Sequence, residues 1–194
     1  GAHAHPHAIV SSQGALLLHC IVQAIELLAA CQEHSRYFSD FDFQQLIDLA
    51  KELTILYFDD GETVLTQGEP ATFFGVVLQG AVVAVVNSVR MGTARGVGEV
   101  IGESSLFAGG TRNASIVATA GGYLAVFSFA QLDNLFSSNP SLAKKLSRQL
   151  ALATIDKQAE MERRPRSTEE RERGVSELLV RQQQRHWSSH ASAA

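Results

Sequence analysis

Apolar residues change their spacing twice along this chain, and each change marks a change of architecture. From Leu17, the positions Leu17, Ile21, Ala24, Leu28 and Cys31 recur at steps of four and three, which predicts a helix with one apolar seam. Packing of that seam on the chain's own domain is the simpler expectation, because two heptads are too few to demand a coiled coil; a partner helix, and so self-association, could use the same seam. A second helix is predicted after Asp40 as N-cap, with Phe43, Leu46, Ile47, Ala50 and Leu53 as its apolar positions. The pattern then shortens. Ile55 to Phe58, Thr63 to Thr66, Phe73 to Gln79, Ala81 to Asn87, Ala114 to Ala118 and Tyr123 to Phe129 read as short strands, separated by Asp59-Asp60-Gly61, Gln67-Gly68-Glu69-Pro70, Gly80 and Gly121-Gly122. Short strands with glycine turns predict a sandwich, jelly roll or barrel. Helical spacing returns at Ala130 to Phe136 and again from Pro140 through Leu142, Leu146, Leu150 and Leu152 to about Arg163, with Pro165 as the stop.

The two ends carry little apolar pattern. Residues 1 to 14, with His3, His5 and His7 at alternate positions, predict a disordered tail or tag remnant; a flexible H-x-H-x-H lacks the surroundings that fix metal ligands. The start at Gly1-Ala2, without methionine, suggests an excerpt of a longer protein. Asp156 to Arg173 carries six acids and six bases and predicts a solvated helix laced by i,i+4 pairs. Ser167 and Glu170 form a capping-box pattern for a last helix reaching about Trp187, with Val175, Leu178 and Leu179 as its few apolar residues. Arg164-Pro165-Arg166-Ser167 matches a basophilic phosphorylation pattern, which is common by chance. The expected organisation is therefore residues 1–14 as tail, 15–37 as an N-terminal helix, 38–163 as one domain and 164–194 as a polar, partly helical extension.

Composition narrows the class. With 194 residues, 45% hydrophobic and 19% charged, the chain can form one good-sized core with appended helices. A net charge of -4 argues against nucleic acid as a partner. Cys20 and Cys31 lie about 16 Å apart along one helix, too far to bridge, and predict buried thiols in a reducing compartment. The apolar run from Ala15 to Cys31 contains His19, Gln23 and Glu26 and is shorter than the roughly 20 residues a membrane span needs. A cytoplasmic location is expected, either free or as the cytosolic part of a membrane protein.

The candidate chemistry sits in Gly102-Glu103-Ser104-Ser105-Leu106-Phe107-Ala108-Gly109-Gly110-Thr111-Arg112-Asn113-Ala114-Ser115, where one acid and one base bracket a loop of small residues. Backbone N–H groups of Ser104 and Ser105 can turn inward to hold an anion. Arg112 adds a permanent charge and a planar fork of donors suited to phosphate. Glu103 would repel that phosphate, so it suits a neutral hydroxyl of the same ligand, such as a ribose. A sugar phosphate is the simplest ligand with both groups.

This loop, with Arg95-Gly96-Val97-Gly98-Glu99-Val100-Ile101 before it, Gly61-Glu62 and Gln67-Gly68-Glu69 in the early turns and Gly80 closing a strand, resembles the cyclic nucleotide-binding domain. That family includes regulatory subunits of cyclic-AMP-dependent protein kinase, cyclic-nucleotide-gated channels and bacterial catabolite activators. The resemblance spans roughly Phe38 to Arg163. It implies a mainly β fold with flanking helices: an eight-stranded β-jelly roll (double-stranded β-helix) with N-terminal helices and two C-terminal helices. It implies that Arg112, with Ser104, Ser105, Asn113 and Ala114, holds the cyclic phosphate, that Glu103 with Gly102 takes the ribose, and that the last helix covers the base through Leu150, Leu152, Ile155 or Met161. Ile101 stands where the family usually has an aromatic residue. Asn113 stands where many cyclic-AMP binders have alanine and many cyclic-GMP binders threonine.

The implied function is a non-catalytic regulatory domain that binds a cyclic nucleotide, cyclic AMP slightly ahead of cyclic GMP, and signals through its C-terminal helices to an effector outside this segment, such as a channel, transporter or kinase. No metal or further cofactor is expected, and no direct membrane insertion. The alternative is a scaffold or interaction module that keeps the fold without the ligand. An enzyme is disfavoured because no nucleophile–base or metal-ligand pattern falls on the strands, which lack histidine altogether. A DNA-binding regulator is disfavoured because only about thirty residues follow the long helix, too few for a helix-turn-helix unit with a basic face.

Overall fold

The computed structural model describes residues 22, 24–26, 28–30, 32–162 and 168–191, with side chains described up to residue 160 and again from 168 to 184. The histidine-bearing tail, both cysteines, the phosphorylation pattern and Ser167 lie outside the described residues. Helical residues at 24–26, 28–30 and 32–34 place Ala24 and Leu28 in the main core, so the described part of the predicted seam packs on the chain's own domain.

Helix α1 (Phe43–Glu52) starts two residues later than predicted. Asp42, not Asp40, is its N-cap: the Asp42 carboxylate accepts from the Gln45 N–H at 2.8 Å, and the Gln45 side chain accepts from the Asp42 N–H at 3.1 Å. Phe41 explains the shift. Its ring is buried 5.3 Å from that of Phe38, which holds the chain outside helical geometry until Asp42. The buried face of α1 is Leu46, Leu49 and Ala50, and Phe43, predicted to face inward, is exposed.

Six strands follow: β1 (Thr54–Phe58), β2 (Thr63–Leu65), β3 (Phe73–Val86), β4 (Val89–Arg95), β5 (Val100–Ile101) and β6 (Ser115–Ser128). All pairings are antiparallel, in the order β1-β6-β3-β4, with β2 on β6 and β5 on β3. Six therefore stand where eight were expected, and the glycines explain the difference. Gly80 and Gly121-Gly122 do not end strands; they lie within β3 and β6, whose register shifts between Val77 and Val82 while pairing continues. Gly80 has φ +86°, and a Cβ there would stand 2.6 Å from the Gly121 carbonyl oxygen. The two backbones cross so closely that a turn-like residue becomes a bend.

Strands β4 and β5 escape the sequence pattern. Most of β4 is exposed and so has no apolar alternation, and β5 is two residues long. The β3–β4 hairpin turns on Asn87 and Ser88, both at positive φ (49° and 65°). Along β3, Phe74, Val76 and Leu78 join the main core, whereas Val77 and Val82 belong to a smaller cluster with Phe58, Leu65, Ile101, Ile116 and Leu124. The Phe74 and Phe127 rings stack 5.2 Å apart between β3 and β6.

Four further helices complete the described residues. The short α2 (Ser104–Ala108) interrupts the sheet between β5 and β6. Helix α3 (Phe129–Ser138) is capped by Ser128 and Gln131 in a reciprocal box. Helix α4 (Pro140–Glu162) begins where the Asn139 side chain accepts from the Leu142 N–H at 3.2 Å. Its residues Leu142, Leu146, Leu150 and Ile155 are buried in the main core. Helix α5 (Thr168–Ala191) packs on α4 and also touches α2; Val175 is buried, and Leu178 and Leu179 lie against the same core. The polar C-terminal extension thus contributes apolar side chains to the domain. No described helix is long and apolar enough to cross a membrane.

Candidate ligand-binding loop

The segment from β5 to β6 folds back on the turn at residues 67–71, and backbone bonds clamp the two together. Gly68 N–H donates to the Arg112 carbonyl, Arg112 N–H to the Glu69 carbonyl and Ala71 N–H to the Gly110 carbonyl, each at 2.9 Å. The Ser115 hydroxyl accepts from the Gln67 N–H, also at 2.9 Å. Gln67-Gly68-Glu69-Pro70 is therefore both a turn and the outer wall of the loop. Nothing in its local pattern indicates that second role, which depends on a segment more than forty residues away.

Arg112 is drawn inward by this clamp and is only 4% exposed. Its Nη1 donates to the Gly102 carbonyl at 3.1 Å, and its guanidinium lies over the Phe73 ring, 4.6 Å from the centroid. Its Nη2 is buried without a hydrogen-bond partner among the described residues. Burial lowers the pKa of the guanidinium, opposed by the Glu103 and Glu69 carboxylates. Gly102 must be glycine here: its φ is +74°, and a Cβ would stand 2.5 Å from Arg112 Nη1.

Glu103 is equally buried but faces elsewhere. It stands at the N-cap of α2 without capping it, and forms no ion pair with Arg112 within the described contacts. Lys157 of α4 instead reaches its Oε1 at 2.8 Å and also donates to the Val100 carbonyl. The neighbouring turn of α4 is bound similarly. Glu160 meets Arg95 at 2.9 Å, and Asp156 meets Arg171 at 2.7 Å and Arg36 at 3.8 Å. The charged stretch predicted to be a solvated helix is thus, from 156 to 160, tied to the sheet, the N-terminal turn and α5. Its balanced charge concealed this, because sequence neighbours could have paired among themselves.

The remaining predicted residues fall into two groups. Ser105 is buried and donates to the Thr111 carbonyl at 3.3 Å, while Ser104 is half-buried, receives a long contact from the exposed Asn113 amide at 3.5 Å, and shares the loop with half-buried Ala114. Gly102, Glu103, Ser104, Ser105, Arg112, Asn113 and Ala114 thus lie in one loop. Leu150 and Ile155 are buried in the main core and Leu152 packs against it; the Met161 side chain lies outside the described residues. A cleft of about 370 Å³ opens between the end of β4 and α4, lined by Arg36, Arg95, Glu99, Asp156 and Glu160, whose charges pair across it, and by no residue of the loop.

Residues 55–139 match the family model described as the cyclic nucleotide-binding domain. This segment belongs to the cyclic nucleotide-binding domain family. The fold is similar to that of a cyclic nucleotide-binding domain from Methylobacillus flagellatus, at 24% identity and a TM-score of 0.63 over 72% of this chain and 80% of that one. It is also similar to the Thermus thermophilus catabolite activator protein, at 22% identity and a TM-score of 0.55, over 66% of this chain and 62% of that one. A third similar structure is cAMP-bound PfPKA-R (141-441), at 17% identity and a TM-score of 0.55, over 74% of this chain and 49% of that one. No curated protein sequence matches the chain. Among the described residues the architecture is mainly β and helix-flanked, as expected from the sequence, and is built on six antiparallel strands.

Proposed function

We propose that this domain binds a cyclic nucleoside monophosphate without transforming it, and passes the binding energy through its C-terminal helices to an effector outside this segment, such as a channel, transporter or kinase. One observation carries the reading: Arg112 is buried, yet its Nη2 lacks a hydrogen-bond partner among the described residues. A guanidinium taken from water costs free energy unless its donors are satisfied, so an orphaned donor in this loop calls for an anion. The cyclic phosphate meets Arg112 and the N–H groups of Ser104, Ser105, Asn113 and Ala114. The ribose hydroxyl meets Glu103 beside Gly102, and α4 supplies apolar cover for the base from Leu150, Leu152, Ile155 or Met161. Cyclic AMP is placed ahead of cyclic GMP because the similar PfPKA-R structure has cAMP bound; Asn113, neither the alanine of many cyclic-AMP binders nor the threonine of many cyclic-GMP binders, favours neither base. The domain is placed on the cytoplasmic side.

A second reading, a scaffold that has lost the ligand, is favoured by Glu103, whose carboxylate is already taken by Lys157. Calorimetric titration with cyclic AMP and cyclic GMP separates the two. The sensor reading expects saturable binding that weakens about tenfold to a hundredfold in Arg112→Ala, the loss of one charge-assisted contact. No heat and no melting shift at millimolar-order ligand supports the scaffold instead.

A further inference from the structure

Helix α5 lies beyond residues 55–139, the segment that matches the family, yet it touches the helix of the ligand loop. Its sheltered positions form one stripe: Val175 and Gln182 are buried, with half-buried Leu178 and Leu179 between them. Val175, Leu178 and Leu179 join the same core as Leu106 and Phe107 of α2. The first turns of α5 are fixed to α4. A Cβ on Gly174 would stand 2.9 Å from Ile155 Cδ1, Arg171 meets Asp156 at 2.7 Å, where Arg36 also approaches, and Glu172 meets Arg148. Helix α5 therefore rests on α4 and on α2 at once.

Helix α2 depends on such support. Its five residues make little more than one turn, too short to hold itself, and glycines at positive φ flank it: Gly102 at +74°, Gly109 at +72° and Gly110 at +88°. Packing on Ser105, Leu106 and Phe107, its buried residues, therefore sets where it lies. We propose that α5 is a positioning element for the ligand loop, which buttresses α2 so that the N–H groups of Ser104 and Ser105 stand ready for the phosphate. The inference rests on the reading that the loop takes a cyclic nucleotide, and α4 keeps its place over the base throughout. Coupling of this kind is reciprocal: ligand in the loop tightens α5 on α2, and lifting α5 away weakens the ligand. The affinity measured in solution is then the intrinsic affinity scaled by the fraction of molecules with α5 docked.

The test is hydrogen exchange on the wild-type chain, alone and with saturating cyclic AMP, beside titrations of wild type, Val175→Asp and Val175→Ile. Ligand is expected to slow exchange at the amides of 104–108 and 171–182 and to leave those of α1, 43–52, unchanged. Val175→Asp, which puts a charge into the buried stripe, is expected to bind roughly tenfold more weakly while still melting cooperatively. Val175→Ile keeps the apolar contact and is expected to bind as the wild type does. Saturable binding that slows 104–108 but not 171–182, or that slows α1 equally and so reports general stabilisation, overturns the buttress and leaves the cyclic nucleotide reading standing. Wild-type affinity in folded Val175→Asp overturns it as well. The exchange comparison needs no variant, so it decides even if Val175→Asp does not fold. Absence of binding in the wild type and in every folded variant overturns both.

Discussion

Gly102 and Arg112 fit together because one has no side chain: a Cβ on Gly102 would stand 2.5 Å from Arg112 Nη1, the nitrogen that donates to the Gly102 carbonyl. Two constraints meet at this glycine, since its φ of +74° is also strained for any L residue. Gly102→Ala should therefore move the guanidinium. Stability should fall by about 1–3 kcal/mol, the usual cost of a strained backbone site, and cyclic AMP binding should fall with it. Urea unfolding and titration of the same preparation check both.

Arg112 illustrates the opposite balance. Among the described residues it is buried with an orphaned donor and no ion pair to a carboxylate, so in the empty domain it contributes a desolvation cost against one backbone hydrogen bond and one ring contact. Arg112→Met, which keeps the stem length and the contact with Phe73, is expected to unfold at a temperature no lower than the wild type while losing binding. A clear drop in melting temperature for the empty variant would show that Arg112 is structural.

How far the sequence could be read depended on whether a signal was local. The Gly102–Ser115 loop was legible because acid, base and small residues lie in one continuous stretch, and the helices from Phe129 onward announced themselves by period and caps. Lys157 was not, because its partner lies 54 residues away and its own neighbourhood is charge-balanced. Strand β4 was missed because exposure removes the alternation that marks a strand, and Gly80 was misread because a glycine at positive φ serves a turn and a crossing equally well. Asp40 and Asp42 are both acceptable caps in sequence; burial of Phe41 chose between them.

The β3–β6 crossing is expected to be intolerant of a single methyl group. Gly80→Ala would put a Cβ 2.6 Å from one carbonyl oxygen and 2.7 Å from another, in a backbone conformation with φ +86°. Backbone on both sides leaves nothing flexible to give way. We expect a loss of roughly 2–4 kcal/mol, in the range of other strained or overpacked buried sites, measured by urea unfolding. Gly92→Ala in β4 has a similar φ of +70° but meets nothing within 4 Å, so it should cost about 1 kcal/mol, the strain alone.

Tyr37 sets an alkaline limit on stability. It is 2% exposed, its hydroxyl has no hydrogen-bond partner among the described residues, and burial is the main cause raising its pKa above the ordinary value of 10.0. The Arg36 charge opposes that rise and the Asp156, Glu99 and Glu103 charges reinforce it. The folded chain therefore holds the phenol proton more tightly than the unfolded chain does. The resulting stabilisation is complete below the unfolded pKa near 10.0 and is lost as pH rises from there toward the folded value. Within that window, unfolding free energy should fall by up to about 1.4 kcal/mol per pH unit from this one group. Tyr37→Phe removes both the proton and the orphaned hydroxyl. It should match or exceed wild-type stability at pH 7 and flatten the decline above pH 10, which parallel urea titrations of the two chains across that range would show.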